Sequence, residues 1–206
     1  NIIFNEEGYP SFDVLYKDQI IDKFTLGVPG YHNIYNALAS ISTTYTFGVP
    51  KDKIKEKLKN FKGTHRRFDI LGEKNAIKVI DDYAHHPTEI KATLDAAKKY
   101  PHNNIWCIFQ PHTYTRTKAL LLDFASAFNN ADKIIVTDIY AAREKDTGEI
   151  HSKDLVKLIE KEGKDVIYIK SFEEIVEYLK KYTQPKDVIL TMGAGNIYEV
   201  GKMFLK

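Results

Sequence analysis

The sequence predicts an α/β fold: a Rossmann-like parallel sheet with helices on both faces, preceded by a smaller α+β block. Three observations lead there. From Phe68 onward, short apolar runs alternate with stretches of helical periodicity. The runs are continuously apolar rather than alternating, as in strands covered on both faces. The links between them are short, as in the βα units of a doubly wound sheet.

In the first block, Asn1–Phe4, Phe12–Tyr16 and Ile20–Leu26 read as strands, with a turn at Glu6-Glu7-Gly8. Gly27-Val28-Pro29-Gly30 breaks that pattern. A helix fits Asn33–Phe47 and stops at Gly48 and Pro50, and a second fits Asp52–Phe61 with Ile54, Leu58 and Phe61 on one face. Gly63 closes the block, so the expected division is 1–63 and 64–206. In the second block the strands are Ile77–Ile80, Ile105–Phe109, Lys133–Thr137, Val166–Ile169 and Val188–Thr191. The helices that follow them are Thr88–Lys99, Thr117–Asn129, Ser152–Glu162, Phe172–Tyr182 and Ile197–Leu205.

With 43% apolar residues among 206, the chain has enough apolar mass for a folded core. Thirty basic against 28 acidic residues leave a net charge of +2, which argues against a nucleic-acid or membrane-surface binder. The single cysteine, Cys107, lies in an apolar run and reads as a buried strand residue; an internal disulfide is impossible, which suits a reducing, cytoplasmic setting. No apolar run approaches a bilayer span and no N-terminal signal pattern is present. The first residue is Asn1, not Met, which suggests a piece of a longer chain. Oligomeric state is not legible.

Ligands of open parallel sheets bind beyond the carboxyl ends of the strands. The polar clusters fall there: Asp81-Asp82-Tyr83-Ala84-His85-His86-Pro87, Gln110-Pro111-His112-Thr113-Tyr114-Thr115-Arg116, Asp138–Glu144 and Gly193-Ala194-Gly195-Asn196. Loops at the other edge, such as Glu162–Asp165, are plainer. His85 and His86 with their acidic neighbours could suggest a metal, but adjacent histidines diverge and no spaced ligand set accompanies them, so no metal site is expected. Asp81 and Asp82 lie too far upstream to cap the next helix, for which Thr88 is the better N-cap, with Lys91 where a capping box needs Glu. Arg116 near a helix N-terminus adds to the positive end of the dipole and therefore implies an anion there. Gly193-Ala194-Gly195 lacks a third glycine and reads as a tight strand-to-helix turn, and no phosphate-loop lysine motif occurs anywhere. In the first block, Asn33 and Asn36 share one face of a helical turn, beside His32, where amides and imidazole suit a purine edge. Arg66 and Arg67 at the junction could clamp phosphate.

Four segments together resemble the Mur ligase family, the ATP-dependent amide-forming enzymes of peptidoglycan precursor synthesis and hence of cell-wall growth, cell shape and division. They are Gly-Tyr-His-Asn-Ile-Tyr-Asn-Ala-Leu-Ala at 30–39, Arg-Arg-Phe at 66–68, Asp-Asp-Tyr-Ala-His-His-Pro-Thr-Glu at 81–89 and Phe-Gln-Pro-His-Thr-Tyr-Thr-Arg-Thr at 109–117. The last two resemble the alanine-adding member. The likeness implies that 1–63 is the tail of a central ATP-binding domain and 64–206 the C-terminal domain, with the phosphate loop, the Mg2+ ligands and a UDP-binding domain outside this chain. It implies ligation of L-alanine to UDP-N-acetylmuramate through an acyl phosphate, which these residues alone would not carry out. Carried over by position, His32, Asn33 and Asn36 would contact adenine, Arg67 the phosphates and Asp82 the ribose. His85 and Arg116 would serve the amino-acid site as catalytic residues, Arg116 holding the alanine carboxylate, with Tyr83 and His86 lining it. Many relatives carry a second arginine where this chain has Thr113, so the clamp would rest on Arg116 alone or borrow His112 or Arg143. The alternatives are a recycling ligase that takes a tripeptide, and a nucleotide-binding module without chemistry.

Overall fold

The computed structural model describes residues Asn1 to Lys206. They form two compact units, 1–64 with 95–101, and 65–94 with 102–206.

The first unit contains an antiparallel meander, β1 (Ile2–Phe4), β2 (Pro10–Tyr16) and β3 (Gln19–Thr25), in the order β1-β2-β3. Lys17 and Asp18 turn the β2–β3 hairpin with φ of 50° and 60°, the left-handed pair that matches strand twist in a two-residue loop. One face of the meander sends Phe12, Val14 and Phe24 into a core with Leu26. Helix α1 (Tyr31–Thr46) closes it with Ile34, Ala37 and Ile41, and α2 (Lys51–Asn60) with Ile54. The 3–4 spacing of those residues is what gives α1 a single buried stripe.

The second unit is a six-stranded sheet in the order β4-β5-β9-β6-β7-β8. Its strands are β4 (Asp69–Lys74), β5 (Ile77–Asp82), β6 (Ile105–Phe109), β7 (Lys133–Val136), β8 (Val166–Tyr168) and β9 (Val188–Met192). All pairings are parallel except β4–β5. The expectation of a mainly parallel sheet flanked by helices holds, but the edge strand β4 was not anticipated. Its half-exposed Asp-Ile-Leu-Gly-Glu-Lys sequence, with a register shift between Ile70 and Gly72, has neither the apolar run nor the clean alternation of a strand. The helices are α3 (Pro87–Lys98), whose residues from Asp95 on count with the first unit, α4 (Tyr114–Ala119), α5 (Leu121–Ala125), α6 (Ser152–Lys161), α7 (Phe172–Tyr182) and α8 (Tyr198–Leu205). The single helix expected over 117–129 is two, beginning at Tyr114 and broken at Leu120, whose φ and ψ of −109° and 21° leave the helical region.

On one face of the sheet, Val79, Ile108, Ile135 and Ile189 pack with Ile175 and Leu179 of α7 and Val200 and Phe204 of α8. On the other, the Phe109 ring meets Phe124 and Phe128 at 5.6 and 5.3 Å, all three fully buried. Each such side chain contributes roughly 1.5–3 kcal/mol by leaving water. Cys107 is fully buried and burial pushes its thiol far above the usual range, so it is an inert strand residue. At the amino-terminal edge of the sheet Asp187 is buried but satisfied, accepting from Asn104, Trp106 and Gln184, so it stitches the sheet. No helix is long and apolar enough to cross a membrane.

Candidate functional site

The carboxyl ends of β5, β9 and β6 lie side by side, and the loops that leave them are bonded together. Gly193 N–H donates to the Asp82 carbonyl at 3.2 Å, and Gln110 N–H to the Met192 carbonyl at 3.0 Å. Gly193-Ala194-Gly195 is a strand-to-helix turn that only glycine can make here. A Cβ on Gly193, at φ 150°, would stand 2.7 Å from the Gln110 carbonyl, and one on Gly195 would stand 2.3 Å from Gln110 Oε1 and 2.7 Å from the Tyr140 ring. Gln110 is buried and its Oε1 has no hydrogen-bond partner, while its Nε2 donates to Asn196 Oδ1 at 3.2 Å.

After β5, Asp82 is only 6% exposed and its two oxygens accept the N–H groups of Phe68 and Ala84, each at 2.8 Å. Burial pushes its carboxyl up to about 6, against the pull of those N–H groups and of Arg67. Phe68 needs that bond because its φ is 48°, a conformation costly for a bulky residue. Asp82 therefore shapes the turn, leaving one lone pair per oxygen for any ligand. Arg67 is exposed, 3.9 Å from Glu89 Oε1 and with its guanidinium 5.7 Å from the Tyr83 ring centre.

Helix α3 starts at Pro87, and the cap is not the expected Thr88. His86 Nδ1 accepts from Thr88 N–H at 3.3 Å while Glu89 Oε2 reaches back to His86 N–H at 3.2 Å and His85 N–H at 3.0 Å. That is the reciprocal pattern of a capping box with Pro in the first helical position. His86 thus spends one ring nitrogen on the backbone and stays exposed. His85 Nδ1 lies 2.9 Å from the Tyr83 carbonyl, which can only accept, so Nδ1 carries a proton in that contact, and 3.3 Å from Glu89 Oε2.

After β6 the loop carries His112, whose ring meets His85 edge-on at 5.9 Å and stacks on Tyr140 at 5.6 Å. Burial first, then the Arg116 and His85 charges, lower its affinity for a proton. It stays neutral near pH 7 and takes the Arg116 Nη1 at 3.5 Å on Nδ1. Arg116 therefore pairs with an imidazole rather than a carboxylate, and its charge is left for something else. The anion expected at the start of α4 is intramolecular: Glu144 accepts from Thr115 N–H at 3.0 Å and from the Thr115 hydroxyl. Those bonds hold Glu144 below the usual carboxylate range. Arg143 beside it is exposed. Thr113 has φ 67° and ψ 141°, a strained backbone for a β-branched residue, held by its N–H on the Tyr140 carbonyl at 2.9 Å.

One unit thus brings Arg67, Asp82, Tyr83, His85 and Arg116 to a single sheet edge, with His86 in the adjoining cap. The sequence matches the Mur ligase glutamate ligase domain over residues 66–195, more than half of the chain. The chain belongs to the Mur ligase family. It is similar to a UDP-N-acetylmuramate–L-alanine ligase of Caldanaerobacter subterraneus, with 63% identity over all of this chain and 45% of that protein. A ligase of the same name from Alkaliphilus metalliredigens is 57% identical over all of this chain and 44% of its own length. Among solved structures, the UDP-N-acetylmuramate–alanine ligase of Thermotoga maritima matches with a TM-score of 0.83 and 31% identity, over 97% of this chain and 43% of that one. A murein peptide ligase of Psychrobacter arcticus matches with a TM-score of 0.66 and 26% identity, over 98% and 42%. The chain spans less than half the length of the curated relatives it matches.

His32, Asn33 and Asn36 lie in the other unit of this Mur ligase chain, in the first turns of α1. Asn33 Nδ2 donates to the Pro29 carbonyl at 2.7 Å and Asn36 Nδ2 to Asn33 Oδ1 at 3.1 Å. Both amides line a groove of about 490 Å³ whose other walls include Leu26, Val28, Ala37 and Phe61. The sequence reading named Glu89, Tyr140 and Glu144 within its polar segments but gave them no role, and it did not give Arg66 its local one. Glu89 had a legible signal, three residues past the N-cap; Glu144 had none, because its partner lies 29 positions away in sequence.

Proposed function

We propose that the protein carrying this chain is the ligase that joins L-alanine to UDP-N-acetylmuramate, using ATP. The observation that carries the acceptor assignment is the 63% identity, over all of this chain and 45% of the relative, to an L-alanine ligase. The site chemistry supports it. In this reading the γ-phosphoryl group passes to the muramoyl carboxylate and ADP leaves. The alanine amine then attacks the acyl carbon, phosphate leaves, and the amine loses a proton. Arg116, with its charge not spent on a carboxylate of the protein, holds the alanine carboxylate, and the neutral His112 beside it takes no part of that charge. In its neutral form, with the proton on Nδ1, His85 offers the Nε2 lone pair to the amine proton, and Tyr83 packs edge-on against that imidazole at 5.4 Å. His86 lines the same loop. Arg67 binds phosphate, and Asp82 contributes its remaining lone pairs to the ribose.

The apolar groove with two amides suits adenine, whose ring needs flat apolar walls and whose edge needs a donor and an acceptor. The Asn36 amide keeps its oxygen and one N–H for that purpose, whereas His32 is not among the residues that line the groove. In this reading Mg2+ accompanies the ATP and would be held by residues outside this chain, which has no group of three or more His, Cys, Asp or Glu side chains placed to hold a metal. The reaction belongs in the cytoplasm, in keeping with a lone buried cysteine.

The test is phosphate release by the full-length protein given ATP, magnesium and UDP-N-acetylmuramate. Release with L-alanine supports the reading. Release with a tripeptide alone moves the protein to peptide recycling, and release with neither removes the catalytic claim.

A further inference from the structure

Arg66, next to the proposed phosphate contact, is not itself available to phosphate. Its Nε donates to Asp81 Oδ2 at 2.9 Å, Nη2 to the Gly193 carbonyl at 2.7 Å and Nη1 to the Gly195 carbonyl at 3.0 Å. Its guanidinium lies between two tyrosine rings, 4.9 Å from the centre of Tyr83 and 4.7 Å from that of Tyr198. Asp81 is fully buried and its other oxygen accepts the Thr191 hydroxyl at 2.7 Å. The Arg66 backbone is bound as well: its N–H donates to Asp69 Oδ2 at 3.2 Å and its carbonyl accepts from Tyr83 N–H at 2.7 Å. Its φ of 61° is one these bonds must hold.

We infer that Arg66 is a positioning residue that locks the junction peptide, the Tyr83 loop and the Gly193–Gly195 turn into one rigid rim, and so fixes where Arg67 stands. The fork does what a point charge cannot, because two carbonyls and a carboxylate are met in one plane. This inference rests on the reading of Arg67 as the phosphate contact. With Arg66 held by both backbone and side chain, its neighbour has little freedom left at the chain, and a displaced Arg67 loses its aim on the phosphates.

The test uses the full-length ligase with Arg66→Lys, Arg67→Ala and the double variant, read by steady-state kinetics and amide hydrogen exchange. Arg66→Lys keeps a positive charge beside Asp81 and loses the carbonyl fork. It is expected to raise the KM for ATP on the order of tenfold to a hundredfold and to leave the KM for L-alanine unchanged. The ATP effect should vanish in the Arg67→Ala background, and exchange at the hydrogen-bonded amides of Tyr83 and Gly193 should quicken. Unchanged exchange at those amides overturns the inference whatever the kinetics show, as do effects of the two substitutions that simply add. Quickened exchange with an Arg67→Ala enzyme of normal ATP dependence instead removes the phosphate role of Arg67 and leaves the rim in place. Should Arg66→Lys fail to fold, Tyr198→Leu removes one face of the sandwich without touching buried Asp81. The same exchange and ATP readouts then decide.

Discussion

Asp82 offers a test of the site's electrostatics that does not depend on substrate. Its carboxyl is carried from an ordinary 3.8 to about 6 by burial. The folded state therefore holds this proton more tightly than the unfolded chain does. The corresponding stability is fully present below about pH 4 and is lost as pH rises through 6, an amount of ~3 kcal/mol at 1.36 kcal/mol per pKa unit. Asp82→Asn removes the titration while keeping one acceptor for the Phe68 or Ala84 N–H. Wild type should thus lose ~2 kcal/mol relative to the variant between pH 4 and pH 7, measured by urea unfolding at a series of pH values. A carbon-13 NMR titration of the Asp82 carboxyl should show a midpoint near 6. A constant stability difference across that range, or an ordinary carboxylate midpoint, would refute the claim that burial outweighs the two N–H bonds.

Other outcomes follow from the same rim. Gly195→Ala drives a methyl group into Gln110 Oε1 and the Tyr140 ring and should cost about 1–3 kcal/mol in chemical denaturation; a neutral result would mean that Gln110 moves freely. Thr113→Gly relieves a strained φ of 67°, so the Tm should hold or rise, whereas a clear drop would show that the threonine side chain matters more than its backbone. Glu144→Ala strips the start of α4 of its acceptor, so Thr115 amide exchange should quicken and the KM for L-alanine rise through Arg116; unchanged exchange would leave Glu144 without a role. Arg116→Ala should raise the L-alanine requirement and spare ATP, and an effect confined to ATP would end its assignment to the amino-acid carboxylate.

The sequence by itself determined the layered α/β plan, because strands covered on both faces must be apolar throughout and the helices between them must carry one stripe. It also determined that the polar clusters gather at one sheet edge, since loop residues follow their strands wherever the sheet is built. What it could not decide were relations between groups distant along the chain. Strand β4 is held by its pairing with β5 rather than by its own pattern, so nothing local announced it. The arginines of 66 and 67 are alike in sequence, yet tertiary contacts set one between two tyrosines and leave the other exposed. The acid that answers the dipole of α4 comes from a loop beyond the next strand. Folding removes Asp82 from water and gives its oxygens two backbone amides, which its place in the sequence does not announce. Local propensity is written in neighbours along the chain; burial, pairing and proton affinity are properties of neighbours in space, and only the fold supplies those.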